Sequence, residues 1–161
     1  MIAKAILLVL LAVAPLPASS GLAIVATDLT DDEVIVCRPV RTGERIVLAF
    51  IHSMYGGDVR EEYVATSDGL LRRVAVTTAN AAAAEYYAYT AGVTREGDRF
   101  RLEVPEASFR QFVVRADRIG DHRLEVGADT VHLATSARNG RPVRLGIEER
   151  SVWGRLLGGA C

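Results

Sequence analysis

Cysteine, lysine and histidine are all scarce in this chain of 161 residues. Two cysteines are too few for a disulfide scaffold or a four-cysteine zinc site. One lysine, Lys4, stands beside 18 arginines, and acids balance bases to a net charge of −1. So small an imbalance excludes a nucleic-acid binder of the electrostatic type. Low-complexity tracts and repeats are absent, and an apolar content of 50% excludes disorder. No G-x-S-x-G elbow, P-loop, H-E-x-x-H or C-x-x-C occurs, so no residue is assigned a catalytic role and no cofactor or metal is expected. The length suits one domain with one core.

Charge is also missing from the first 27 residues, apart from Lys4. Lys4 precedes the apolar run AILLVLLAVA at 5–14, Pro15 and Pro17 break it, and Ala18-Ser19-Ser20 supply small residues. This is the layout of a secretory signal peptide over residues 1–20. A membrane span needs about 20 apolar residues, and this run is shorter. The expectation is an exported protein, periplasmic or secreted after cleavage, that meets the membrane only through its leader; an uncleaved N-terminal anchor is the lesser alternative. The rest divides into one β-domain at 21–150 and a short apolar tail at 151–161, SVWGRLLGGAC. The tail, with Trp153, Leu156 and Leu157, is expected to dock on the domain. Cys37 and Cys161 could pair in an oxidising compartment and tie the tail down, but unpaired thiols are the expectation, because a frayed terminus seldom holds bridge geometry.

Beyond the leader, short β-prone segments alternate with turn signals. Strands are expected at 22–28, 33–39, 45–52, 59–66, 70–78, 99–103, 109–117, 122–126, 129–134 and 143–148. Strands that short, at that spacing, predict an all-β fold, an antiparallel sandwich or barrel-like sandwich of about 8–10 strands. The segment NAAAAEYYAY at 80–89 breaks the pattern. It reads as one or two helical turns or as a loop packed by Tyr86, Tyr87 and Tyr89. In HRLEVGADTVHLA at 122–134, Gly127 opens a two-residue type II′ loop. That register puts His122, Leu124, Val126, Val131 and Leu133 on one face and Arg123, Glu125, Thr130 and His132 on the other. His122 and His132 therefore cannot ligate one metal together.

The candidate site lies in RIVLAFIHSMYGGDVREEY at 45–63. His52 and Glu61 each sit on an otherwise apolar strand face, where an ionisable group needs a partner. A hairpin that joins those faces is expected to bring His52 against Glu61, opposite or diagonal. His52, Ser53, Glu61 and Tyr63 are the candidate binding residues. They read as a polar anchor that fixes register, or as a small-molecule or metal-ion site. His52 and Ser53 are adjacent and point to opposite faces, which argues against base and nucleophile. A secreted hydrolase is the remote alternative.

The motifs FIHS at 50–53, DVREEY at 58–63, DHRLEVG at 121–127 and VHLA at 131–134 resemble the bacterial domain-of-unknown-function family numbered 1850. The likeness runs from about Leu22 to about Glu148. Its most specific element is an HS dipeptide followed by V-x-E-x-Y, which falls on His52, Ser53, Val59, Glu61 and Tyr63. Asp58 stands where that family usually has proline, and 80–89 stands in place of a glycine-alanine-glycine segment. The resemblance implies a small exported, non-enzymatic accessory or binding protein. Such proteins are often encoded beside TAXI-class tripartite (TRAP) transporters, so the implied partners are transporter components or a small solute.

Overall fold

The computed structural model describes residues 20–87 and 92–151. The leader, Tyr89 and the tail with Trp153, Leu156, Leu157 and Cys161 lie outside the described residues. Two antiparallel sheets face each other. The smaller has the order β2-β1-β12-β9, built from β1 (Ser20–Asp28), β2 (Glu33–Val40), β9 (Gln111–Ala116) and β12 (Arg141–Ser151). The larger runs β11-β10-β3-β4-β5-β7-β6. Its strands are β3 (Arg45–Ile51), β4 (Asp58–Ala65), β5 (Leu71–Thr78), β6 (Val93–Glu96), β7 (Arg99–Leu102), β10 (Arg123–Val126) and β11 (Asp129–His132). The short β8 (Ala107–Phe109) also pairs with β5. The helix α1 (Ala81–Tyr87) is the described exception to an all-β architecture. No helix among the described residues is long and apolar enough to cross a membrane.

All ten expected strands are present, with two differences. The segment expected at 109–117 divides into β8 and β9, which join different sheets. β6 went unpredicted: VTRE is exposed at every position, so it carries no apolar alternation. It forms by pairing with β7.

The larger sheet is covered in two halves. Over one half, Ile24, Ala26, Val143 and Leu145 of the smaller sheet pack on Ile46, Leu48, Tyr63 and Leu124. Each Ile, Leu or Val among these contributes about 1.5–3 kcal/mol on burial. Over the other half, Ala84 of α1 packs on Val59, Val76 and Leu102. The β10–β11 hairpin has the expected register, Val126 with Asp129 and Leu124 with Val131. Gly127 adopts φ 60°, the left-handed backbone that opens a type II′ turn. Ala23, Val25 and Cys37 form a small separate cluster. Cys37 is disulfide-bonded. This corrects the expectation of an unpaired thiol at that position: burial in this cluster holds Cys37 in place, as bridge geometry requires.

Candidate functional site

β3 ends at Ile51, and His52 opens the loop to β4. The His52 amide donates to the Gly57 carbonyl at 2.7 Å, and the Gly56 amide donates to the His52 carbonyl at 2.8 Å. The His52 ring ties the same loop together. Its Nδ1 accepts the amide protons of Met54 and Tyr55, each at 3.2 Å. An Nδ1 that accepts leaves the ring proton on Nε2. His52 is only 7% exposed. Tyr55 stacks on it at 5.1 Å, and Tyr86 and Tyr87 meet it edge-on at 5.2 and 5.5 Å.

Those last two rings come from α1, whose position is fixed by Asn80. Its Oδ1 accepts the Ala83 amide at 3.1 Å, an N-cap, and its Nδ2 donates to the Tyr55 carbonyl at 2.9 Å. The loop and the helix are thereby joined through one side chain. Ala81–Tyr87 of that segment thus forms the helical turns that its alanines favour, and Tyr86 and Tyr87 pack around His52.

A second histidine reaches the same end of the sheet. β10 pairs with β3 with Arg123 opposite Ala49, so His122 falls beside Phe50. The two rings stack at 5.5 Å with a 12° interplanar angle. His122 Nδ1 accepts the Asp117 amide at 3.3 Å, and Asp117 Oδ1 accepts the Gly120 amide at 2.6 Å. The Gly120 carbonyl accepts the Ile51 amide at 2.6 Å, which closes this turn onto β3. A cleft of about 230 Å³ opens here, lined by Phe50, His52, Ser53, Tyr87, Arg115 and His122 among others.

The four candidate residues do not form one site. His52 and Ser53 line the cleft. Glu61 pairs with Leu48 and Tyr63 with Ile46, well inside the sheet. Four residues separate Leu48 from His52, about 13 Å along the strand. The expected His52–Glu61 contact is therefore corrected. The loop closes between His52 and Gly57, so Phe50 meets Val59 and Glu61 falls opposite an apolar residue. Glu61 is instead satisfied by its own strand: the Tyr63 hydroxyl donates to Glu61 Oε2 at 2.6 Å. Burial, then the Glu61 charge, push the Tyr63 phenol well above its ordinary value, so it remains a donor. Glu61 and Tyr63 make a structural polar pair at the seam between the two halves of the core.

Sequence reasoning missed His122, Tyr86, Tyr87, Arg115 and Asp117 as companions of His52. A signal existed for His122, which shares an inward face with Leu124. What was unreadable was that β10 pairs with β3, a contact between strands far apart in the chain. No group of three or more His, Cys, Asp or Glu residues suited to a metal ion occurs among the described residues.

The model of a family described as a domain of unknown function (DUF1850) matches residues 46–133. The chain belongs to this family. The matched span runs from the start of β3 just past β11, and it contains every residue named for the cleft. It leaves out β1, β2 and β12, three of the four strands of the smaller sheet. No curated protein and no solved structure matches the chain.

Proposed function

We propose that this DUF1850 protein is an exported, non-enzymatic accessory module that binds a small solute in the His52–His122 cleft and works beside a TAXI-class TRAP transporter. The cleft carries the reading: a cavity walled by aromatic rings and a few polar groups, framed by two sheets and a capped helix, suits a ligand site. At about 230 Å³ it lies below the roughly 300–1,000 Å³ of sites for drug-sized molecules, which favours a small solute. Export is supported by the apolar leader and by the disulfide at Cys37, since such bonds persist in oxidising compartments. His52 turns Nδ1 back onto its own loop, an arrangement suited to recognition more than to proton transfer. The transporter partnership rests on the family resemblance. It is tested by affinity purification from detergent-solubilised membranes, with solute uptake measured in a deletion strain. Recovery of transporter or receptor subunits with impaired uptake is expected. No recovery together with normal uptake overturns the partnership.

A further inference from the structure

The cleft holds more hydrogen-bond donors than acceptors to receive them. Nδ1 of His52 is occupied by two amides, and Nδ1 of His122 accepts the Asp117 amide. For His52 that leaves the ring proton on Nε2; His122 Nδ1 also lies 3.5 Å from the Asp117 carbonyl, so its tautomer is set by which of these two backbone groups it meets. The His52 ring is more than nine-tenths buried and lines the cleft. Arg115 is anchored by its Nε, which donates to the Gly140 carbonyl at 3.0 Å. Arg115 is an exposed side chain at the edge of the cleft, and its terminal nitrogens have no acceptor among the described residues. Asp117 is the acid on the wall, and one of its oxygens already receives the Gly120 amide. The same wall also carries ring and hydrocarbon: Phe50, Ile51 and Tyr87.

Resting on the reading of this cleft as a binding site, we infer that its ligand is a small organic carboxylate. Its oxygens take the Arg115 terminal nitrogens and the His52 Nε2 proton, and its hydrocarbon body lies on Phe50 and Tyr87. Charge decides between anions of this shape. Arg115 supplies one positive charge and Asp117 one negative, so a monoanion leaves the site less negative than a phosphate dianion does. An inorganic phosphate also leaves the apolar wall uncovered. Arginine suits the role because its planar fork matches a carboxylate with two parallel bonds.

The test is a titration of the purified protein with benzoate, benzamide and inorganic phosphate. It is read by heat and by the imidazole nitrogen resonances of His52 and His122. Benzoate is expected to bind saturably and to shift both imidazoles, with benzamide and phosphate weaker. Arg115→Ala is expected to weaken benzoate by about tenfold or more, the loss of a charge-assisted bond. Arg115→Lys, which keeps charge without the fork, falls between. Arg144→Ala, on the smaller sheet and away from the cleft, leaves binding unchanged. If benzamide binds as tightly as benzoate, or phosphate displaces it, the carboxylate assignment is overturned and the binding cleft survives. If none of the probes moves either imidazole at concentrations on the order of 10 mM, both the assignment and the cleft as a binding site fall.

Discussion

Gly57 shows how one missing side chain sets the site. A Cβ built there would lie 2.2 Å from Cβ of Asn80, far inside contact distance. Gly57 has no positive φ, so the requirement is steric alone. Gly57→Ala is expected to cost about 1–3 kcal/mol, as overpacking does, read as a lowered thermal midpoint. Adding Asn80→Gly removes the opposing Cβ but also the bond to the Tyr55 carbonyl, so the double variant should lose less than the two single variants summed. Losses that simply add would show that the clash is not the cause. Asp28 and Glu62 contribute to the acid response. Burial alone would raise Asp28, but hydrogen bonds from Thr30 and the Arg141 guanidinium at 3.1 Å outweigh it and hold the carboxyl below its ordinary value. A hydrogen bond from Arg45 lowers Glu62 against the opposing effect of burial. A folded pKa below the unfolded one gives stability that is complete at neutral pH. That stability is lost as the pH falls from about 4 through the folded value. Asp28→Asn and Glu62→Gln should each flatten the fall in melting temperature between about pH 5 and 2. A slope unchanged in both variants would contradict this assignment.

At the scale of elements, α1 is too short to be stable in isolation. It survives because Asn80 caps it, Ala83 and Ala84 are buried, and two tyrosines pack on His52. Asn80→Ala removes the cap, worth about 1 kcal/mol, and the bond to the Tyr55 carbonyl. The expected result is a lower melting temperature, with faster amide exchange at Ala83 and Ala84. Exchange that stays slow there would mean the helix is held by packing alone. The β10–β11 hairpin was legible because a two-residue loop with glycine first fixes its register locally. The β3–β4 hairpin was not, because its loop is longer and several registers join the two apolar faces. The adopted register matches Phe50 with Val59 and leaves Glu61 to Tyr63.

On the scale of the molecule, the family-matched span is not a self-sufficient unit. Residues 46–133 hold the larger sheet but of the smaller one only β9. Without β1, β2 and β12, the inward side chains Ile46, Leu48 and Leu124 lose Ile24, Val36, Val143, Leu145 and Ile147 as cover. A fragment of residues 46–133 is therefore expected to be unfolded or aggregated, by near-ultraviolet circular dichroism and sedimentation. A cooperative melt from that fragment would show that the smaller sheet is dispensable. The same layout closes the chain on itself: β1 pairs with β12 along its whole length, from Ser20 with Ser151 to Asp28 with Val143.

Period-two alternation and turn residues are local, so the sequence by itself determined an all-β chain, ten of its strand positions, the β10–β11 register and the inward face that carries His122. It also marked His52 as an ionisable group needing a partner, and 80–89 as the segment that departs from the strand pattern. Which strands become neighbours depends on contacts between distant segments, and only the tertiary structure decided those. Pairing of β10 with β3 brought His122 to Phe50, the order of the smaller sheet brought Arg115 to the cleft, and the Asn80 cap turned Tyr86 and Tyr87 onto His52. The partner of His52 is therefore an aromatic enclosure drawn from two separate parts of the chain. Glu61 is left beside Tyr63 because a loop closing at Gly57 sets it four residue pairs along the ladder from His52.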